Sequence, residues 1–178
     1  LPVATLLHVV DALPYAKLNV LHWHLTDTQS FPVETPSRPS LWRGSFSTRE
    51  RYSVEDVRRV VERARLRGIR VIPEFDTPGH AESWCVGYPS VCPAPTCRTP
   101  LDVSKAETFA VLDDVLGDAS KLFPDAFVHL GGDEVDTSCW GSTPSIQRWL
   151  QERNYTTADA YAYFVSTAAK IARSHQKR

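Results

Sequence analysis

The chain has no methionine, no apolar stretch long enough to cross a bilayer, and almost no net charge. Each absence excludes something. A membrane-spanning helix needs about 20 predominantly apolar residues, and no run here approaches that. Twenty Lys and Arg balance 21 Asp and Glu, a formal charge of −1. That balance gives neither a nucleic acid nor an anionic membrane surface a field to follow. A chain that opens on Leu1 and contains no methionine reads as part of a longer translated product. The lack of a signal peptide therefore carries no information about destination. No internal repeat occurs at the roughly 20–50-residue periods of solenoids, and no segment is of low complexity. With 42% hydrophobic and 23% charged residues the composition is that of an ordinary globular protein. Its 178 residues suffice for one domain with a sizeable core.

The four cysteines, Cys85, Cys92, Cys97 and Cys139, lie in loop-like sequence and lack the C-x-x-C pairing of a structural zinc site. An even count in loops fits disulfides and an oxidising compartment. Asn154-Tyr155-Thr156 is an acceptor sequon for N-glycosylation, which has meaning only in a secretory protein. Together these signals favour the secretory pathway.

What is present is an alternation of helices and strands. Leu6, Leu7, Val9, Val10 and Leu13 recur at helical spacing over residues 4–13, and Pro14 stops the pattern. Residues 18–25 read as a strand through Val20-Leu21-His22-Trp23-His24, followed by a loop with Pro32, Pro36 and Pro39. Ser53 caps a helix whose core face is Val54, Val57, Val60, Val61 and Ala64, and Gly68 ends it. Ile69 to Phe75 is almost wholly apolar, as buried parallel strands are. A second long loop, about 77–103, carries three of the cysteines and several prolines. Ser104-Lys105-Ala106-Glu107 has the pattern of a capping box opening a helix with Phe109, Leu112, Val115, Leu116 and Ala119 inward. Ala126-Phe127-Val128 begins a third strand. Thr143-Pro144 starts a short helix, and a last one runs from about Thr157 to Ser174, with Tyr161, Phe164, Val165, Ala168 and Ile171 inward. This is the alternation of βαβ units around a parallel sheet. The two longest connections both follow strand ends, where ordered loops build sites.

The three strand tips share a composition. The first ends His22-Trp23-His24-Leu25-Thr26-Asp27, the second Glu74-Phe75-Asp76-Thr77-Pro78-Gly79-His80, the third His129-Leu130-Gly131-Gly132-Asp133-Glu134. Four of the six histidines fall there, beside several acids. Titratable clusters at the C-terminal ends of parallel strands mark active sites. Neighbouring carboxylates such as Asp133 and Glu134 do not both ionise cheaply in a partly dry site, and one that keeps its proton serves as a general acid. As adjacent residues they point in opposite directions, so at a bent tip they divide the labour. Taken singly, Asp133 and Glu134, like Asp27 and Asp76, also fit simple capping of a helix or loop. Two chemistries compete. His22 and His24 face the same side of a strand and, with Asp76 or Asp133, can bind zinc for metal-assisted hydrolysis. Alternatively the Asp133–Glu134 pair acts without metal on a glycosidic bond. Spacing alone leaves the choice open.

Three segments narrow it. His22-Trp23-His24-Leu25-Thr26-Asp27 with Gln29-Ser30-Phe31-Pro32, then Gly68 through His80, then Phe127-Val128-His129-Leu130-Gly131-Gly132-Asp133-Glu134-Val135 resemble the β-N-acetylhexosaminidases of glycoside hydrolase family 20. The similarity spans essentially all of residues 1–178, and the loop from Trp84 to Pro95 is most similar to plant members. The resemblance implies the N-terminal part of a (β/α)8 barrel: an α/β fragment with about three parallel strands and their helices, the later strands missing. It implies removal of terminal non-reducing β-linked N-acetylglucosamine or N-acetylgalactosamine with retention, by substrate-assisted catalysis, an exception to the two-carboxylate scheme. By that resemblance Glu134 is the acid and base, Asp133 orients the 2-acetamido group, Asp27-His80-Glu134 form a proton relay, and Asp76 is a further pocket acid supporting the loop. It also implies a Cys97–Cys139 bridge, leaving Cys85 and Cys92 to pair or remain free. Trp42 and Trp84 are candidates for stacking on sugar faces, although aromatics in such loops more often pack.

Expected partners are N-acetylhexosamine-terminated glycans, with no nucleic acid, membrane, metal or cofactor, a homodimer in the full-length enzyme, and a vacuolar, lysosomal or extracellular location. The family's substrate-binding arginine precedes this chain, and its aromatic pocket walls come from later strands. A barrel of this type takes about 250 residues. The expectation is an inactive fragment carrying the acid–base half of a site. A metal-dependent hydrolase and a non-catalytic glycan-binding or vestigial product are the competing classes.

Overall fold

The computed structural model describes residues 1–178. Helix α1 (Val3–Ala12) buries Leu6 and Val10 and passes at Leu13 into a 3₁₀ turn that Lys17 closes in the left-handed conformation. That turn delays the first strand, so β1 spans Val20–Thr26 rather than 18–25. Ser53 opens α2 (Val54–Leu66) with a full capping box, its hydroxyl accepting from the Asp56 amide while Asp56 accepts from the Ser53 amide. Val57, Val60 and Ala64 are buried, and Gly68 at φ +69° turns the chain into β2 (Arg70–Phe75).

Strands β1 and β2 pair in parallel, Val20 opposite Arg70 and His24 opposite Glu74, with an irregularity before Thr26 meets Phe75. Parallel register and the two-residue repeat sort the side chains by face. Trp23, Leu25, Val71 and Phe75 are buried in the hydrophobic core, whereas His22, His24 and Glu74 share the opposite face.

The expected third strand does not form a ladder. It is reduced to one parallel bridge between Glu74 and His129, in which the His129 amide donates to Pro73 O and Phe75 N donates to His129 O. The next rung would take an amide proton from Pro73, which has none. The Phe127 amide turns instead to the Asp125 carboxylate. Beyond the bridge Thr77 N donates to Leu130 O and the Gly131 amide bends back to its neighbour's His129 ring, so the segment leaves the sheet. Its outer edge is held by Arg178, which accepts from Val128 N and donates to Ala126 O.

Between β2 and this segment lie a four-residue helix α3 (Trp84–Gly87) and helix α4 (Ala106–Leu122). The first is too short for periodicity to reveal. The expected capping box of α4 is absent: Asp102 captures both the Ser104 hydroxyl and amide, and Lys105 becomes a cap without a side-chain bond. Helices α5 (Ser138–Ser142), α6 (Pro144–Arg153) and α7 (Thr157–Ser174) complete the chain. Asn154 ends α6 in the left-handed conformation and is exposed, and Thr156 with Asp159 forms the capping box of α7. Disulfides join Cys85 to Cys92 and Cys97 to Cys139, the second tying the long loop to the start of α5. No helix is long and apolar enough to cross a membrane. The architecture is α/β, helices around a two-stranded parallel sheet.

Candidate active site

Asp27 lies just past the end of β1, in a tight turn where it exchanges backbone bonds with Ser30. The Ser83 hydroxyl donates to its carbonyl at 2.6 Å, anchoring the turn to the loop after β2. His80, on that loop, takes a positive φ of 50° and brings Nδ1 within 3.0 Å of Asp27 Oδ1. A carboxylate there accepts the Nδ1 proton, which aims Nε2 outward, 3.6 Å from Glu134 Oε2. The hydrogen bond to Asp27 raises the His80 pKa above its ordinary value, outweighing burial, and the charges of Asp27, Asp76 and Glu134 add to it.

The third tip is bent by its glycines. Gly131 and Gly132 adopt φ of +67° and +100°, and Glu134 follows at +54°. A side chain at Gly131 would meet the Asp76 carboxylate at 1.8 Å, so only glycine fits. Buried Asp76 accepts the Gly132 amide at 2.9 Å. Burial raises the Asp76 pKa in spite of that bond. On the other side the Tyr161 hydroxyl of α7 donates to the Gly132 carbonyl at 2.5 Å. Both backbone polar groups of Gly132 are thus held by side chains from distant elements. Asp133 and Glu134 project from this clamped turn into solvent, Glu134 with 79% of its side chain exposed.

Two groups that sequence reasoning left without a role organise the floor of the cleft. Glu74, only 6% exposed, lies 2.5 Å from His22 Nε2, 3.1 Å from His129 Nδ1 and 3.6 Å from His24 Nδ1. Tyr161, read as a core residue, is the clamp on Gly132. Glu74 stands two residues before Asp76 on the polar face of β2, a signal that becomes readable once the register with His24 is known. The metal-binding reading gathered His22 and His24 with Asp76 or Asp133. The structure divides them: ligand atoms of His22, Glu74 and His129 lie within 4.8 Å of one another, as do those of His24, Glu74 and Asp76. Asp133 belongs to neither group.

The cleft holds about 670 Å³ and its lining of His, acid and glycine residues includes no apolar side chain. The two tryptophans considered for sugar stacking are elsewhere. Trp84 is fully buried edge-on to Phe31, and Trp42 donates to Pro32 O beneath the Arg51 guanidinium. Chemically the arrangement offers a solvent-facing carboxyl backed by a carboxylate-held imidazole, the pairing that moves a proton to a bound leaving group.

The family model for the glycosyl hydrolase family 20 catalytic domain matches residues 1–178. The chain belongs to that family. The family 20 chain is 54% identical over 175 residues to beta-hexosaminidase 3 of Arabidopsis thaliana, covering 98% of this chain and 33% of the relative. It is 43% identical to the human beta-hexosaminidase subunit beta, over 88% of this chain and 30% of that one. Among solved structures, the Flavobacterium johnsoniae chitobiase superposes with a TM-score of 0.90 at 33% identity, covering 99% of this chain and 28% of its own length. The Vibrio harveyi exo β-N-acetylglucosaminidase, solved with N-acetylglucosamine, gives 0.90 at 26%, covering 100% and 32%. The family 20 chain described here spans about a third of the length of its curated relatives.

Proposed function

We propose that these residues form the acid–base part of a β-N-acetylhexosaminidase that removes terminal, non-reducing β-linked N-acetylglucosamine or N-acetylgalactosamine with retention of configuration. The observation that carries the reading is the alignment of Asp27, His80 and Glu134 at three converging tips. In it Glu134 protonates the departing glycosidic oxygen and later takes a proton from water. His80, made more basic by Asp27, holds the positive charge that stabilises the Glu134 carboxylate after it has given up its proton. Asp133 orients the substrate's 2-acetamido group, whose carbonyl oxygen is the nucleophile, and stabilises the positive charge that develops on it. The protein needs no nucleophile of its own. Asp76 holds the turn that presents both acids.

On the same reading residues 1–178 are the N-terminal part of a (β/α)8 catalytic barrel, and its partners are glycans ending in N-acetylhexosamine. The disulfides and the exposed sequon at Asn154 support a secretory route to a vacuole, lysosome or the cell exterior. A homodimer is proposed for the full-length enzyme. Because the cleft has no apolar wall and Glu134 is largely exposed, the 178 residues alone are proposed to turn over little substrate.

The test is a Glu134→Gln substitution in the full-length enzyme, assayed on chitobiose and on an aryl N-acetylglucosaminide with an activated leaving group. The expected result is a loss on chitobiose of at least about 100-fold, the scale of general acid catalysis, with a smaller loss on the aryl substrate. Equal loss on both counts against Glu134 as the acid.

A further inference from the structure

Two long loops meet behind the Asp27–His80 contact. The loop after β1 contains a 3₁₀ turn, Pro39–Gly44, and the loop after β2 carries α3. Their backbones interlock at two points. A side chain at Gly44 would strike the Ser83 carbonyl oxygen, and one at Gly87 would strike the Ser40 carbonyl oxygen. Neither glycine has a positive φ, so the close approach alone requires them. Two separated contacts restrain rotation as well as sliding, where one would leave a pivot. The interlock is internal: Gly44, Ser83 and Trp84 are buried, Trp84 stands edge-on to Phe31, and the Phe31 amide donates to Gly44 O at 3.0 Å. Nothing outside residues 1–178 is needed to make it.

What the interlock delivers is Ser83. This residue lies three positions past His80 on the same loop and is only 3% exposed. Its hydroxyl donates to the Asp27 carbonyl at 2.6 Å, short for a bond between two oxygens. One loop therefore grips Asp27 twice, its carbonyl through Ser83 and its carboxylate through His80. His80 itself is left-handed at φ 50°, a conformation that a residue other than glycine keeps only where its surroundings hold it.

We propose that Gly44, Gly87 and Ser83 are positioning residues for the proton relay: the loop interlock, acting through Ser83, keeps the Asp27–His80 couple in line with Glu134. The proposal rests on the acid–base reading above. None of the three touches the reacting atoms. Each acts by fixing where the Asp27 turn and the His80 loop meet, and a site of this kind is only as precise as the shell that supports it.

The test is Ser83→Ala in the full-length enzyme, with two readouts. NMR titration of His80, which faces the charges of Asp27, Asp76 and Glu134, should show its midpoint falling, by less than in Asp27→Asn. Turnover of chitobiose should fall by roughly 10-fold, inside the ~100-fold that a misplacement of about 1 Å carries, with a smaller loss on the activated aryl substrate. Gly87→Ala is the second variant. It removes no polar group, yet it should lower the His80 midpoint from seven residues away. Gly68→Ala controls for lost stability: a side chain there meets nothing within 4 Å, so the His80 midpoint should stay in place. A His80 midpoint unmoved in Ser83→Ala, with only a lower unfolding temperature, overturns the positioning role whatever the turnover. A midpoint that falls while chitobiose turnover holds overturns instead the acid–base reading, and with it the relay that the interlock serves.

Discussion

The Asp27 carboxylate and the His80 imidazole, 53 positions apart in sequence, meet at 3.0 Å. Folding therefore makes His80 a stronger base than its ordinary value of 6.5 implies. A group whose pKa is raised on folding contributes stability that is complete below its unfolded pKa and lost as pH climbs through the folded value. Replacing Asp27 with Asn should thus cost more stability near pH 5 than near pH 9, by no more than about 1 kcal/mol because both side chains are partly solvated. Urea unfolding at the two pH values measures the difference. NMR titration of His80 should show its midpoint falling in the variant; an unmoved midpoint would remove Asp27 from the proposed relay.

Gly131 and Gly68 have nearly the same positive φ, +67° and +69°, in different surroundings. A side chain at Gly68 meets nothing within 4 Å, while one at Gly131 strikes the Asp76 carboxylate. Gly68→Ala should cost only the left-handed strain, about 1–2 kcal/mol. Gly131→Ala should cost clearly more, since Asp76 cannot retreat without releasing the Gly132 amide. Equal unfolding midpoints for the two would contradict the close approach.

Tyr161→Phe removes the donor to Gly132 O and little else. The expected loss is about 0.5–1.5 kcal/mol, read by denaturant unfolding. Tyr163, half on the surface and packed through its ring against Phe109 and Trp149, is the control. Tyr163→Phe should change stability by less than about 0.5 kcal/mol.

The disulfides should differ in worth. Cys97–Cys139 closes 42 residues and Cys85–Cys92 closes seven. Loop-closure entropy assigns about 4 kcal/mol to the first and about 2–3 kcal/mol to the second. Paired Cys→Ala variants, compared by thermal unfolding, should rank in that order.

The sequence by itself determined the features whose causes are local. Ser53 with Asp56 started a helix, Gly68 ended it, and apolar periodicity located α1, α2, α4, α6 and α7, because capping and amphipathic spacing act over one or two turns. The three tip motifs carried the candidate site residues and the family resemblance for the same reason: their residue types are contiguous. Tertiary structure decided what depends on partners far along the chain. Pro73 interrupts the third strand only because residues 126–130 align beside it, a register no local pattern encodes. Trp84 is core rather than cleft, Tyr161 packs on the core and is also a clamp on Gly132, and Glu74 gathers three histidines, each through a contact between separate elements. Local chemistry names the groups; only the packed chain fixes which lone pair faces which proton.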